Sequence, residues 1–443
     1  MEAINKNAPE TQNFNAKKAV PVILFFFLFA LIIDNSFKLV SIDIAKDLGI
    51  SATTVSWQAT LAGLVIGIGA VVYASLADSI NIRTLLSAGI IFIVVGSVVG
   101  YLFKDNFAMI LFGRIIQTAG LASAETLYVI YVTKHLPKEE QKKFLGLSTA
   151  SYAMSMLVGS LTGGFISTYL HWTTLFLIAL LSIVILPFIL KLLPKEESRK
   201  VNVDVIGLFL IAAIATTVML YISDFNWLYL IGFAVALVLF LTYINKSSKA
   251  LIDATFFKNQ YFIRTLPIVF IIYSVQLGYI FVFPFILEEI YGLKLDMISL
   301  LLIPGYVASV IVGSLSGKIG KVLSSKQATM MALCGIAVAL LIPGLFTEIT
   351  VVIYVLSMIV FSGSFALMYA PLLDTCLSTI PKEKSGTAIG FYNLTINVSG
   401  SIGIAYTAAM LDKTQISTIL ITLSIIVVAA FALYWVLLNK LAK

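Results

Sequence analysis

The strongest constraint on this chain is a succession of fourteen long apolar runs: residues 19–42, 54–76, 84–103, 107–132, 144–168, 173–193, 204–223, 226–244, 263–287, 296–317, 327–346, 349–372, 385–411 and 416–438. About 20 apolar residues are the length that carries a helix across the hydrocarbon core. In lipid, each backbone polar group has to be satisfied within its own segment. The chain is therefore expected to be an all-α, multi-pass membrane protein with the lipid bilayer as its first partner. Composition agrees: 60% of the 443 residues are hydrophobic and 12% charged, with a mean hydropathy of +1.03. An outer-membrane barrel is excluded, because its strands alternate in short segments. The net charge of +7 sits in short loops between spans, so it implies no nucleic acid. Cys334 and Cys376 fall in or beside different spans and suggest neither a disulfide framework nor a metal site. The polar tail 1–18 lacks the compact charged start of a signal peptide, so the first span is expected to be retained.

An even number of spans puts both termini on one side. With the N-terminus in the cytoplasm, the cytoplasmic segments carry 23 of the 29 Lys and Arg. The outer loops carry Lys46, Lys104, Lys294 and Lys413, while Lys38 and Arg114 lie within spans. Such a bias is the positive-inside signature and predicts cytoplasmic N- and C-termini in a cell membrane. The short polar turns 73–86 and 313–327 each follow the second span of a six-span set. That repetition divides the chain into a tail (1–18), a six-helix bundle (19–193), a linker with two extra spans (194–262), a second six-helix bundle (263–438) and a short end (439–443). Two parallel six-helix repeats are a transporter architecture. Four-residue glycine spacings at Gly63/Gly67, Gly96/Gly100, Gly159/Gly163 and Gly313/Gly317 predict close helix contacts.

One span is unlike the rest. Residues 107–132 carry Arg114 and Glu125, eleven residues apart, with Gln117, Thr118 and Gly120 between them. Eleven residues are three turns plus about 20°, so both charges share a face about 16 Å apart along the axis. Each would cost about 2.5–3.5 kcal/mol at the bilayer centre, so the stripe must face protein or a water-filled cavity. Asp34 in span 1 lies about 5 Å to the outer side of its midplane and Arg114 about 9 Å, level enough to pair. Lys38 is one turn above Asp34. Two roles are open for Asp34: a proton-binding acid tuned by its cations, or a permanent ion pair tying spans 1 and 4. Glu125, about 7 Å to the inner side, has no basic residue near it on its own helix. A buried carboxyl without a cation holds its proton more readily, so Glu125 is favoured over Asp34 as the exchange site for a proton. Its alternative role is a permanently neutral acid hydrogen-bonded between helices. Arg114 is expected to organise rather than carry protons.

Gln58, Tyr152, Met156, Tyr273, Gln276, Tyr369, Asn393 and Asn397 are candidate cavity residues, together with Trp57. Aromatics, Met and amides around an acid suit amphipathic aromatic cations. There is no H-E-x-x-H, G-x-S-x-G or Walker motif and only two histidines, His135 and His171 at loop ends, so neither an enzyme nor an ATP-driven pump is expected.

Several motifs in order carry a resemblance. Ala74, Asp78, Ser79, Asn81, Ile82 and Arg83 resemble the loop motif G-x-x-x-D-[RK]-x-G-[RK]-[RK]. Gly313, Lys318 and Gly320 resemble its second copy, with Gly317 in the acid's place. Arg114, Gln117 and Thr118 resemble R-x-x-Q-G. Gly159, Ser160, Gly163 and Gly164 resemble the antiporter motif G-P-x-x-G-G. Ile33, Asp34 and Ser36 resemble L-D-x-T of span 1. Together they resemble the major facilitator superfamily, and within it the 14-span drug:proton antiporters, which include tetracycline and multidrug exporters of Gram-positive bacteria. The resemblance implies a major facilitator fold of two six-helix bundles plus two linking helices. It implies proton-coupled efflux of amphipathic, cationic or zwitterionic small-molecule drugs by a monomer without cofactor. It also implies a switch role for Asp78, Arg83, Gly159, Gly163 and Gly164, with Asp78 capping a helix that starts near Ser385. The alternatives are a tetracycline-type exporter and an exporter or flippase of an endogenous lipid or metabolite.

Overall fold

The structure is a computed structural model and describes residues 16–77, 80–194, 204–246, 259–380 and 385–441. Among these residues every regular element is helical. The chain runs α1 (Ala16–Leu39), α2 (Ser41–Leu48), α3 (Ala52–Ala77), α4 (Ile82–Leu102), α5 (Phe107–His135) and α6 (Lys138–Tyr169). It continues with α7 (Thr174–Leu180), a 3₁₀ turn (Leu181–Ile185) and α8 (Leu186–Leu192), which together form one span, then α9 (Val205–Asp224) and α10 (Trp227–Lys246). The remainder is α11 (Gln260–Tyr291), α12 (Leu295–Val322), α13 (Ser325–Leu345), α14 (Val351–Leu377), α15 (Ser385–Leu411) and α16 (Ile416–Leu441).

Helix starts are set by local capping. Asn81 accepts from the Arg83 amide and Asn106 from that of Met109, satisfying orphan donors at α4 and α5. Ser324 and Gln327 form a capping box at α13. Gly49 and Gly292, both at φ 61°, end α2 and α11 in the left-handed region.

Thirteen helices among the described residues are long and apolar enough to cross a membrane. The remaining expected span lies in α6, a 32-residue helix whose Ser-, Thr- and Gly-rich sequence lowers its hydropathy. That composition suits an interior position: α6 packs on α1 with one face and on α12 with another. The apolar outer faces carry exposed side chains such as Phe112, Phe209 and Ile231, as a lipid-facing surface does.

Helices α1, α3, α4, α5 and α6 pack among themselves, as do α11 to α16. The two groups meet along α3·α15 and α6·α12, while α9 and α10 form a hairpin whose α9 lies on α15. Between α4 and α5 the backbones touch: a Cβ on Gly96 would lie 2.4 Å from the Gly113 carbonyl oxygen. The Gly63/Gly67 seam packs on Ser401 and Asn397 of α15, and Gly159/Gly163 on α1. The expected Gly313/Gly317 contact is absent among the described residues. Neither glycine has a neighbour within 4 Å of its Cβ position. Four-residue spacing marks a smooth face, and here that face borders open space.

Among the described residues, polar ties between the two helix groups gather at one end of the bundle. At the closed end Lys46 pairs with Glu288. Tyr169 donates to Asp296 at 2.9 Å, and the Asp296 amide donates to Thr168 Oγ1 at 3.1 Å. The Asp412 carboxylate accepts from the Ala52 and Thr53 amides at 3.1 and 2.9 Å, an anion at the N-terminus of α3. All these ties join residues before 194 to residues after 259. Away from that end Leu147 and Met154 of α6 and Leu315 of α12 are exposed.

Gly164 sits where α6 crosses α12. A Cβ there would lie 2.6 Å from the Leu295 carbonyl oxygen and 2.7 Å from Ser299. Backbone cannot yield as a flexible side chain does, so Gly164→Ala should hold the closed end ajar. The expected result is at least about a tenfold loss of transport and faster thiol labelling of a cysteine at the buried Ile298 position. Unchanged labelling and transport would show that the crossing is not tight.

Candidate functional site

In the last quarter of α1, Asp34 pairs with two cations. Lys38 Nζ lies 2.5 Å from Oδ2, one turn along the same helix, and Arg114 Nη2 of α5 lies 3.3 Å from Oδ1. The arginine is 1% exposed and its guanidinium stands 4.2 Å above the Phe37 ring. Arg114 Nη1 donates to Gln117 Oε1 at 2.5 Å, and Gln117 Nε2 donates to Ser97 Oγ of α4 at 2.8 Å. The acid is thus the centre of a network reaching three helices. Its neighbours fix α1 against α6: Asn35 donates to Ser155 and Ser36 to the Gly159 carbonyl.

Glu125, three turns further along α5, is half-buried. It makes no hydrogen bond or ion pair with the described residues. It lies within electrostatic range of Asp34 and Lys38. Opposite stands Tyr152 of α6, within range of Glu125, Asp34, Tyr306 of α12 and Tyr369 of α14. Tyr152 is 48% exposed and Tyr369 44% although both lie well inside their helices. Their open surface borders the space between the two helix groups. Tyr273 lies deeper, against Phe365 and Tyr392 with ring centroids 6.2 and 6.5 Å away. A small recess beside this region is lined by Asn35, Lys38, Met156, Ser160, Phe281 and Tyr306 among others.

The structure therefore brings together Asp34, Arg114, Glu125, Tyr152, Met156 and Tyr369 around one region. Gln276 is half-buried. Gln58 is not: it is fully buried and donates to the Phe37 carbonyl at 2.9 Å and Ser41 Oγ at 2.7 Å, bracing the bend between α1 and α2. Asn397 packs against Gly67 of α3 and donates to the Asn393 carbonyl, so its amide is spent inside the α3·α15 contact. Asn393 is exposed one turn away. Gly159 and Gly163 face α1, whereas Gly164 faces α12. Arg83 is half-buried at the start of α4. Asp78 lies outside the described residues. Four participants had escaped sequence reasoning. Tyr306, Phe37 and Ser97 look like ordinary members of apolar spans. Asn35 is hidden beside the acid. Among the described residues no group of His, Cys, Asp and Glu could hold a metal ion.

Two groups of membrane-spanning helices with ionisable side chains buried between them are the architecture of a transporter. The family model of the Major Facilitator Superfamily matches residues 22–404, and the chain belongs to that superfamily. The riboflavin transporter RibZ of Clostridioides difficile is 25% identical over 409 residues, covering 88% of this chain and 87% of RibZ. The quinolone resistance protein NorB of Staphylococcus aureus is 26% identical over 433 residues, 92% and 90% of the two chains. Among solved structures, the POT family transporter PepTSo superposes with a TM-score of 0.73 at 12% identity, over 96% of this chain and 98% of its own. A D-xylose–proton symporter gives 0.66 at 14% identity, over 94% and 96%. These likenesses extend the major facilitator fold to nearly the whole chain.

Proposed function

We propose that this protein is a proton-coupled antiporter of the 14-span drug-exporter type, moving amphipathic cationic or zwitterionic molecules by alternating access. The observation that carries the reading is the contrast between two intramembrane acids. Asp34 has both oxygens paired to cations. Glu125 makes no hydrogen bond or ion pair among the described residues and lies within electrostatic range of Tyr152. An unpaired carboxyl in such a place is the group for which a proton and a cationic substrate compete. Asp34 with Arg114 forms the fixed electrostatic frame beside it. The halves 19–193 and 263–438 rock about the α3·α15 and α6·α12 contacts, while 194–262 links them. Gly159, Gly163 and Gly164 permit the rocking, and Asp78 with Arg83 stabilises one of its end states. The quinolone resistance named for one relative supports the drug reading. The riboflavin named for another supports a second reading, export of an endogenous planar metabolite.

The protein acts as a monomer in the cell membrane with both termini cytoplasmic, a topology that the Lys and Arg bias supports. A cysteine at the exposed Lys104 position should then react with an impermeant thiol reagent in intact cells. One at the exposed Lys318 position should react only after permeabilisation, and the opposite pattern would reverse the orientation.

Transport itself is tested in inverted vesicles with a panel of cationic dyes, quinolones and riboflavin. Gradient-driven accumulation of dyes and quinolones, collapsed by a protonophore, is expected. Uptake of riboflavin alone would favour the metabolite reading, and uptake indifferent to the gradient would remove proton coupling.

A further inference from the structure

We infer that Lys38 is a substrate-binding residue that holds the carboxylate of a zwitterionic substrate, and that it sets the preference for such substrates over simple cations. The inference rests on the export reading and names the substrate class of that same cavity.

Three observations lead to it. First, Asp34 has more positive charge than it needs. Arg114 already pairs with Oδ1 from a position 1% exposed, so Lys38 on Oδ2 is a second cation on a single negative charge. Second, the lysine is the member of the triad that reaches open space. Its side chain is 18% exposed against 4% for Asp34, and it lines the recess with Asn35, Met156, Phe281 and Tyr306. An aspartate–lysine pair made only for stability would have no reason to present its ammonium to a cavity. Third, the unpaired carboxyl lies on the opposite side of the triad. Helix α1 runs toward the closed end, where Lys46 pairs with Glu288, so Lys38 lies on that side of Asp34. Helix α5 runs the other way, its last turn reaching α3 through Lys134 Nζ on the Ala77 carbonyl, so Glu125 lies toward the open end. Side chains lean toward the N-terminus of their own helix, which brings Lys38 and Glu125 toward one another.

Lys38 and Tyr306 line the recess, and Tyr306, Tyr369 and Glu125 all lie within electrostatic range of Tyr152, so a cationic pole and a carboxyl pole flank one group of tyrosines. A planar molecule carrying a carboxylate and a basic amine complements it. The carboxylate draws Lys38 away from Asp34, whose charge stays neutralised by Arg114. The amine occupies Glu125, and the ring system stacks on the tyrosines. A simple cation uses the Glu125 pole alone and leaves Lys38 on Asp34.

The test compares norfloxacin, which carries both groups, with its methyl ester, which keeps only the amine. Binding of each to purified protein is measured by titration calorimetry for the native chain, Lys38→Gln and Lys38→Arg. The melting temperature of each variant is taken alongside. Arg114 remains on Asp34, so Lys38→Gln should stay folded. Lys38→Gln should weaken norfloxacin about tenfold and leave the ester within a factor of two of native. Lys38→Arg should restore norfloxacin binding. An equal loss for both ligands, or no loss for norfloxacin, would overturn the assignment of Lys38 while leaving the export reading in place. Native protein that binds neither ligand would overturn the drug reading and the inference with it. Should Lys38→Gln melt well below native, the ratio of the two affinities in Lys38→Arg decides instead: a ratio like the native one supports the inference, and a ratio near one contradicts it.

Discussion

Replacing Asp34 with Asn is expected to destabilise the protein by about 3–5 kcal/mol, the usual cost of removing one partner from a buried ion pair. The expectation follows from the surroundings. Arg114 is 1% exposed and donates to Asp34 through one terminal nitrogen and to Gln117 through the other, while its Nε has no partner. An asparagine cannot neutralise it, and the phenyl ring of Phe37 gives only a partial substitute. Expression and melting temperature should both fall, with transport lost as a consequence. The double variant Asp34→Asn/Arg114→Gln removes the fully buried one of the two stranded cations, leaving the part-exposed Lys38, and should recover much of the stability but no transport. A single variant as stable as the native protein would mean that water compensates the arginine, and the pair would then be more pliable than its geometry indicates.

The second large effect separates stability from activity. Glu125→Gln preserves shape and mimics the protonated acid. Glu125 makes no hydrogen bond or ion pair with the described residues, so nothing in the packing is broken. Stability should change by no more than about 0.5 kcal/mol. Proton-coupled transport should nevertheless be abolished, because an amide can neither release a proton nor carry a negative charge. Cationic substrates should lose more affinity than neutral ones, since the attraction for their charge is gone while the tyrosines remain. In vesicles this variant is expected to equilibrate substrate but not to concentrate it. Accumulation at the native level would remove Glu125 from the coupling step.

Much of this site was legible before any coordinates. The triad of Asp34, Lys38 and Arg114 followed from helix geometry: one pair is separated by one turn, and the other lies at similar depth in neighbouring spans. Glu125 stood out because an acid inside a span costs too much to be kept without use. The helix seams at Gly63/Gly67 and Gly159/Gly163 were legible for the same reason, since small residues at four-residue spacing let backbones approach. What escaped was everything that depends on which end of the bundle is closed. Gly313 and Gly317 have the spacing of a contact but no neighbour. Lys46, Glu288, Asp296 and Asp412 look like loop charges in the sequence and act as ties between the two helix groups. Gln58 has the composition of a binding residue, yet its amide is consumed by a neighbouring carbonyl and hydroxyl. A side chain's type shows what it can bond; which partner reaches it first is a matter of packing.

The central claim is that Glu125 carries the exchangeable proton and Asp34 remains a charged frame. Proton release from purified protein, followed with a pH-sensitive dye in weak buffer as drug is added, tests it most directly. The native protein should release protons on drug binding, Glu125→Gln should release none, and Asp34→Asn/Arg114→Gln should still release them. Normal release by Glu125→Gln, together with none from the stable double variant, would contradict the account and make Asp34 the carrier.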